Sequence, residues 1–312
     1  MKRIGVFCLC LAMILCGCGQ AAQPADGAEA VTFTDDLGRT VTVENPQNVA
    51  ALLGSFAQVW MLAGGRICAA PEDAWTDLAL ELSPDCVNLG HVKNLSMELL
   101  LSAQPELVLA SVHSSQHLQW QTALEDMGIA VAYFSVEDFD DYLRMLQICT
   151  QITGCSDLYD THGLQVQARI QAVLEQSKVR LEGQAAPTVL CLTASATSVR
   201  AQNSQGNVLC GMLLSLGCEN IADSDRMLLE NLSLEYILLA DPDYIFFVQR
   251  GDDTAGMEAY VGQFLTDHPA WQQLSAVKNG RVYFMDKYLF NLKPNQRWGE
   301  AYEILEEILT NG

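Results

Sequence analysis

The chain has 312 residues, 50% of them hydrophobic, with 38 acidic against 17 basic side chains and a formal net charge of −21. That balance excludes a nucleic-acid binder, and it excludes a protein held to anionic lipid headgroups by its own charge, because both need clustered cations. The length suits one large domain or two ordinary ones, and the apolar content is ample for packed cores.

Lys2 and Arg3 precede an apolar run from Ile4 to Leu15 that is too short to span a bilayer, which makes residues 1–18 a secretory signal. The run ends in Leu15-Cys16-Gly17-Cys18. This resembles the bacterial lipobox, in which a cysteine after small residues is acylated and becomes the first mature residue, and Cys18 occupies that position. Residues 19–30 are polar and Ala-rich, the composition of a flexible tether. The protein is therefore expected outside the cytoplasm, held to the cell membrane only by a lipid on Cys18. Loss of Lys2 and Arg3 with the leader takes the net charge from −21 to −23. Seven cysteines follow the leader: Cys68, Cys86, Cys149, Cys155, Cys191, Cys210 and Cys218. No CxxC occurs among them, so zinc-finger and thioredoxin-like chemistry is unsupported; most read as buried thiols, and an odd number cannot all pair, which leaves disulfides among some of them open.

The body opens with Val31 to Thr34 and Thr40 to Val43 alternating around Asp36-Leu37-Gly38, a hairpin. Strands are predicted at Val49 to Leu53, Ile129 to Phe134, Thr188 to Thr193 and Arg281 to Met285, the last after the Asn279-Gly280 turn. Residues 94–111 (NLSMELLLSAQPELVLAS) and 231–248 (NLSLEYILLADPDYIFFV) match at seven of eighteen positions without a gap, at an offset of 137. Each copy reads as a Ser N-cap, a first-turn glutamate, a short apolar helix, then a Pro-marked turn into an apolar strand. A helix feeding a continuous apolar strand is the pattern of a mostly parallel, buried sheet. The fold class is accordingly α/β, with lobes over 31–155 and 184–312. Between them, Phe139, Tyr142, Leu143 and Leu146 form one helical stripe and Val166, Ile170, Val173, Leu174 and Leu181 another. The second helix, 156–183, would extend ~40 Å at ~1.5 Å per residue and can brace both lobes.

The segment Phe33 to Val41, the two glutamate helices and residues 268–286 (HPAWQQLSAVKNGRVYFMD), in that order and spacing, resemble the ABC-importer binding proteins for vitamin B12, heme and ferric siderophores. The resemblance covers nearly all of the chain after residue 30. It implies two Rossmann-like lobes joined by one long helix, a cleft that closes little, and a metal-chelate ligand (an iron chelate, heme or a corrinoid). It further implies a monomer that docks on an ABC permease dimer with its ATPase, through Glu98 on one lobe and Glu235 on the other.

No G-x-S-x-G, H-E-x-x-H or G-x-x-x-x-G-K-[ST] motif is present, and the hydroxyl-rich run Thr193 to Ser198 has no obvious base, so it reads as a loop. A tethered hydrolase is the remoter alternative. Divalent-metal binding is the nearer one, because His113 and His117 have the i, i+4 separation that puts two imidazoles on one helix face. In open α/β sheets ligands bind beyond the carboxyl ends of the strands. That places Ser55, Phe56, Trp75, His113, Arg200, Asn203, Arg250, Tyr288 and Arg297 as candidate ligand contacts, the last two bounding the segment Tyr288 to Arg297 that follows the final strand. The arginines suit the anionic oxygens of a chelate.

Overall fold

A computed structural model describes residues 30–205, 207–224, 226–230 and 232–312. The leader, Cys18 and most of the tether lie outside the described residues. Strands β1 (Val31–Thr34) and β2 (Thr40–Val43) form the expected hairpin. Its turn is closed by Gly38, whose φ of +76° suits a residue without a Cβ. The hairpin is riveted to the first lobe by charge: Asp35 accepts from Tyr133 N, and Asp36 accepts from Ser135 N at 2.6 Å and pairs with Arg144.

β3 (Val49–Ala51), β4 (Ile67–Ala70), β5 (Val87–Asn88), β6 (Leu107–Ser111) and β7 (Ala130–Phe134) make an all-parallel sheet in the order β5-β4-β3-β6-β7. β8 (Thr188–Ser195), β9 (Ser198–Gln202), β10 (Glu219–Asn220), β11 (Tyr244–Gln249) and β12 (Val282–Met285) make the second. Its parallel order is β10-β8-β11-β12, with β9 antiparallel to β8. Every residue of β6 is buried, as are Val189 to Ala194 in β8 and Tyr244 to Val248 in β11. Runs apolar on both faces demand helices on both faces. Two expectations change here. β8 runs on to Ser195 and folds back as β9, so Thr193 to Ser198 is the end of a strand and a hairpin turn, because Val199 and Ala201 alternate inward on the returning strand. β4 and β5 were not anticipated, being only four and two residues long.

The helix Phe139–Thr153, capped by Asp138 (Asp141 N to Asp138 Oδ1, 3.0 Å), stops at Gly154 with φ +73°. Helix Ser156–Tyr159, a π-turn Asp160–Leu164 and helix Gln165–Leu181 then follow without a break. This linking helix buries Val166, Ile170, Val173 and Ser177. The terminal helix Trp298–Asn311 packs along it. Across their seam Arg180 and Glu306 make a bidentate pair at 2.9 and 3.1 Å that is nearly out of solvent. Arg169 and Glu303 make a second pair that is exposed. One apolar cluster runs from Val49 and Phe56 through Tyr142 and Ile170 to Phe246 and Leu305, crossing both lobes, while a smaller cluster covers the far face of each sheet. Large hinge opening would break up that shared core.

The chain after β12 also returns to the first lobe. Lys287 lies 3.6 Å from Asp77, Lys293 donates to the carbonyl of Val136, and Asn295 donates to the Ser55 carbonyl at 3.0 Å and to Gln58. Asn295 is fully buried with φ +52°. Asparagine is among the few residues that tolerate that conformation.

Candidate functional site

A cavity of about 490 Å³ opens between the carboxyl ends of the two sheets. The first lobe contributes His113, two residues beyond β6, and Val136 and Glu137, just beyond β7. The second contributes Thr193 from β8, Gln202 from β9, Asn207 and Val208 at a helix start, Arg250 immediately after β11, and Asn291 and Lys293 after β12. Parallel strands bring these groups together because each strand ends at the same rim and its loop turns over the cleft.

The polar groups are held from behind. Gln202 Nε2 donates to Thr193 Oγ1 at 3.0 Å, and Asn207 caps the helix Val208–Ser215 by accepting from Cys210 N at 3.1 Å. On the first lobe, His113 Nε2 lies 2.9 Å from Ser135 Oγ and 3.2 Å from Glu137 Oε1. Arg250 is anchored by its own backbone N–H, which donates to the Ala194 carbonyl at 2.7 Å. Its guanidinium makes no hydrogen bond or ion pair among the described residues. Lys293 is half-buried, and loss of hydration pushes its ammonium below the usual lysine range, against the opposing pull of Glu137 and Asp141.

Of the nine candidate contacts, the structure brings His113 and Arg250 into this cavity. Arg200 stands directly across from Thr193 in the β8/β9 ladder, exposed and without an ion pair among the described residues. Ser55 is half-buried in the helix Gly54–Leu62. Phe56 is 0% exposed and meets Phe134 edge-on at 6.2 Å, so it is core and offers a ligand no surface; Phe56, Val59 and Trp60 form the inward stripe of that helix. Trp75 packs on the shared apolar cluster, outside the cavity lining. The Asn203 side chain is spent on its own turn, accepting from Gln205 N at 3.3 Å. Tyr288 lies under the Lys287 ammonium, 4.9 Å from its ring centre, and not in the lining. Arg297 is neutralised by Glu300 through two bonds of 2.7 Å. Asn291 and Lys293 fall inside the expected segment Tyr288 to Arg297, whereas Glu137 and Asn207 were missed, since nothing local marks them and only the topology assembles them.

His113 and His117 do not share a helix face. His113 sits in a turn, whereas His117 is buried in the helix Ser115–Asp126 with Nδ1 accepting from Ser111 N at 3.0 Å. No group of three or more candidate metal ligands occurs among the described residues. All seven body cysteines are free thiols, four buried and three half-buried.

Glu98 and Glu235 occupy matching places. Each is exposed in the first turn of a short helix, Met97–Ser102 and Leu234–Ala240, capped by Ser96 and Ser233 through bonds of 3.2 and 3.3 Å. Neither carboxylate has a protein partner among the described residues.

Two α/β lobes, a linking helix and a polar cleft at the strand ends are the architecture of a two-lobed solute-binding protein. Residues 49–289 match the family described as periplasmic binding protein, and the chain belongs to that family, whose members bind substrates and are not enzymes. It is 24% identical to the Fe(3+)-citrate-binding protein YfmC of Bacillus subtilis (strain 168) over 286 residues, covering 88% of this chain and 86% of that one. It is 23% identical to the ferric-anguibactin-binding protein FatB of Vibrio anguillarum, covering 91% and 90%. The fold superimposes on Staphylococcus aureus SirA complexed with staphyloferrin B with a TM-score of 0.69 at 18% identity, covering 90% and 98% of the two chains.

Proposed function

We propose that this protein is the lipid-anchored receptor of an ABC importer, capturing an iron chelate in the interlobe cleft and delivering it to a permease dimer with its ATPase. The observation that carries the reading is the cleft itself, a cavity of about 490 Å³ at the strand ends of both lobes, with an unpaired Arg250 on its rim. That volume lies within the range of small-molecule sites. The relatives named for ferric citrate and ferric anguibactin support iron as the cargo. Heme and corrinoids belong to the same resemblance and are the competing ligands.

Cys18 is the anchor in this reading. Glu98 and Glu235 are the docking groups, one on each lobe, presented to cations of the permease. The test is uptake of radioiron-labelled chelates by cells whose own copy is deleted and replaced. Wild type restores uptake, while Cys18→Ser releases the protein from the membrane or blocks its maturation. Correct processing and membrane retention of Cys18→Ser would sink the anchor, and uptake unaffected by deletion would sink the receptor.

A further inference from the structure

The chemistry of the cleft lining selects among the chelates. The second lobe's wall carries two cations, Arg250 and Lys293, together with the amides and hydroxyl of Gln202, Asn207, Asn291 and Thr193. The apolar lining is Val136 and Val208, and no aromatic side chain is present in it among the described residues. An adjoining cavity, which shares Glu137, Asn207 and Val208, has a more apolar wall of Ile170, Leu174, Met212 and Leu214, but it lies against the linking helix and its rim adds Asp138 and Asp140. A flat macrocycle such as heme or a corrinoid needs broad apolar or aromatic walls, which the cavity at the strand ends does not offer.

The cations ask for anions. An ammonium has three N–H donors, and the Val136 carbonyl takes one from Lys293. A guanidinium has five, and Arg250 spends none on the protein among the described residues. Both stand in a chain of net charge −21, where two neighbouring cations run against the general field. On the opposite wall Glu137, with Asp141 beyond it, attracts Lys293 without forming an ion pair with it, and Arg250 has no carboxylate partner among the described residues. A neutral chelate entering such a site would strip water from two cations and return no charge. A carboxylate-bearing chelate returns charge-assisted, and at Arg250 bidentate, hydrogen bonds.

We propose that the cleft is selective for an anionic ferric chelate built from carboxylate or α-hydroxycarboxylate groups, seated on Lys293 and Arg250, in preference to neutral hydroxamates, heme or corrinoids. This rests on reading the cleft as a metal-chelate site. The test is calorimetric titration of the purified protein with ferric citrate, a neutral ferric trihydroxamate, hemin and cyanocobalamin, at low and high salt. Ferric citrate is expected to bind most tightly and to weaken as salt rises. Lys293→Gln and Arg250→Gln are each expected to weaken it by about tenfold or more at an unchanged melting temperature. Should Lys293→Gln melt early, the exposed Arg250→Gln decides alone. Tighter binding of the trihydroxamate, hemin or cobalamin overturns the selectivity while leaving the receptor reading intact. So does a ferric citrate affinity that Arg250→Gln leaves within about twofold of wild type. Failure of all four to bind overturns the chelate reading itself, and the selectivity with it.

Discussion

The two walls of the cleft are built alike and charged differently. On the first lobe the ionisable groups are Glu137 and His113, and they already face each other at 3.2 Å. On the second they are Arg250 and Lys293, whose donors are largely unspent. Both sets hang from loops at the carboxyl ends of parallel strands, so the sheet fixes where a ligand sits and the loops fix its charge. Away from the cleft the lobes converge again, each presenting one exposed glutamate from a Ser-capped helix. The matching glutamates face outward, while the unlike loops face each other across the cleft.

The sharpest way to break the relation between the lobes is at the seam that joins them. Glu306→Ala strands Arg180 in a site that is nearly dry, and it is expected to cost about 3 to 5 kcal/mol in chemical denaturation. Glu303→Ala, on the same seam but exposed with its partner Arg169, is expected to cost about 1 kcal/mol at most. Equal losses for the two variants would show that burial does not set the strength of this seam.

A second contrast is buried in the first lobe alone. Burial lowers His117 from 6.5 to about 4, and its Nε2 has no hydrogen-bond partner among the described residues. The unfolded chain therefore binds a proton that the folded one refuses between these values. Stability from this group is complete above pH 6.5 and drains away as pH falls towards 4, by up to about 3 kcal/mol. Urea unfolding across that range measures the slope, and His117→Gln is expected to flatten it. An unchanged slope in the variant would assign the acid sensitivity to the carboxylates instead.

The smallest stability effects fall on the matching glutamates. Glu98→Ala and Glu235→Ala each remove a first-turn carboxylate from a helix dipole, worth about 0.3 to 1 kcal/mol. Ligand affinity is expected to hold while uptake falls, most in the double variant. Normal uptake and normal permease-stimulated ATPase activity in the double variant would leave only the helix-capping role.

Much of this was legible in the sequence where the signal is local and periodic. The hairpin around Gly38 matches its predicted bounds, and the strands at Val49, Ala130, Thr188 and Val282 lie within two residues of expectation at one end or both. The long helix is visible in the spacing of Val166, Ile170 and Val173. Arg250 was placed because an apolar run, Tyr244 to Val248, points to where its strand stops. Phe56 failed because a residue just past a strand end is at the cleft only if the chain loops there, and here it enters a helix whose stripe turns Phe56 inward. Lys293 lies inside the segment Tyr288 to Arg297 expected at the cleft, but nothing local singles it out there. It sits between Leu292 and Pro294 in an irregular segment, and its place is fixed by the carbonyl of Val136, 157 residues away in the chain.

Native mass spectrometry of the protein with ferric citrate tests the assignment of the cleft directly. One chelate per chain is predicted for wild type and for Glu98→Ala/Glu235→Ala, and none for Arg250→Gln/Lys293→Gln. Retention of the chelate by the cleft variant at wild-type occupancy would place the ligand elsewhere and contradict the assignment of the cleft.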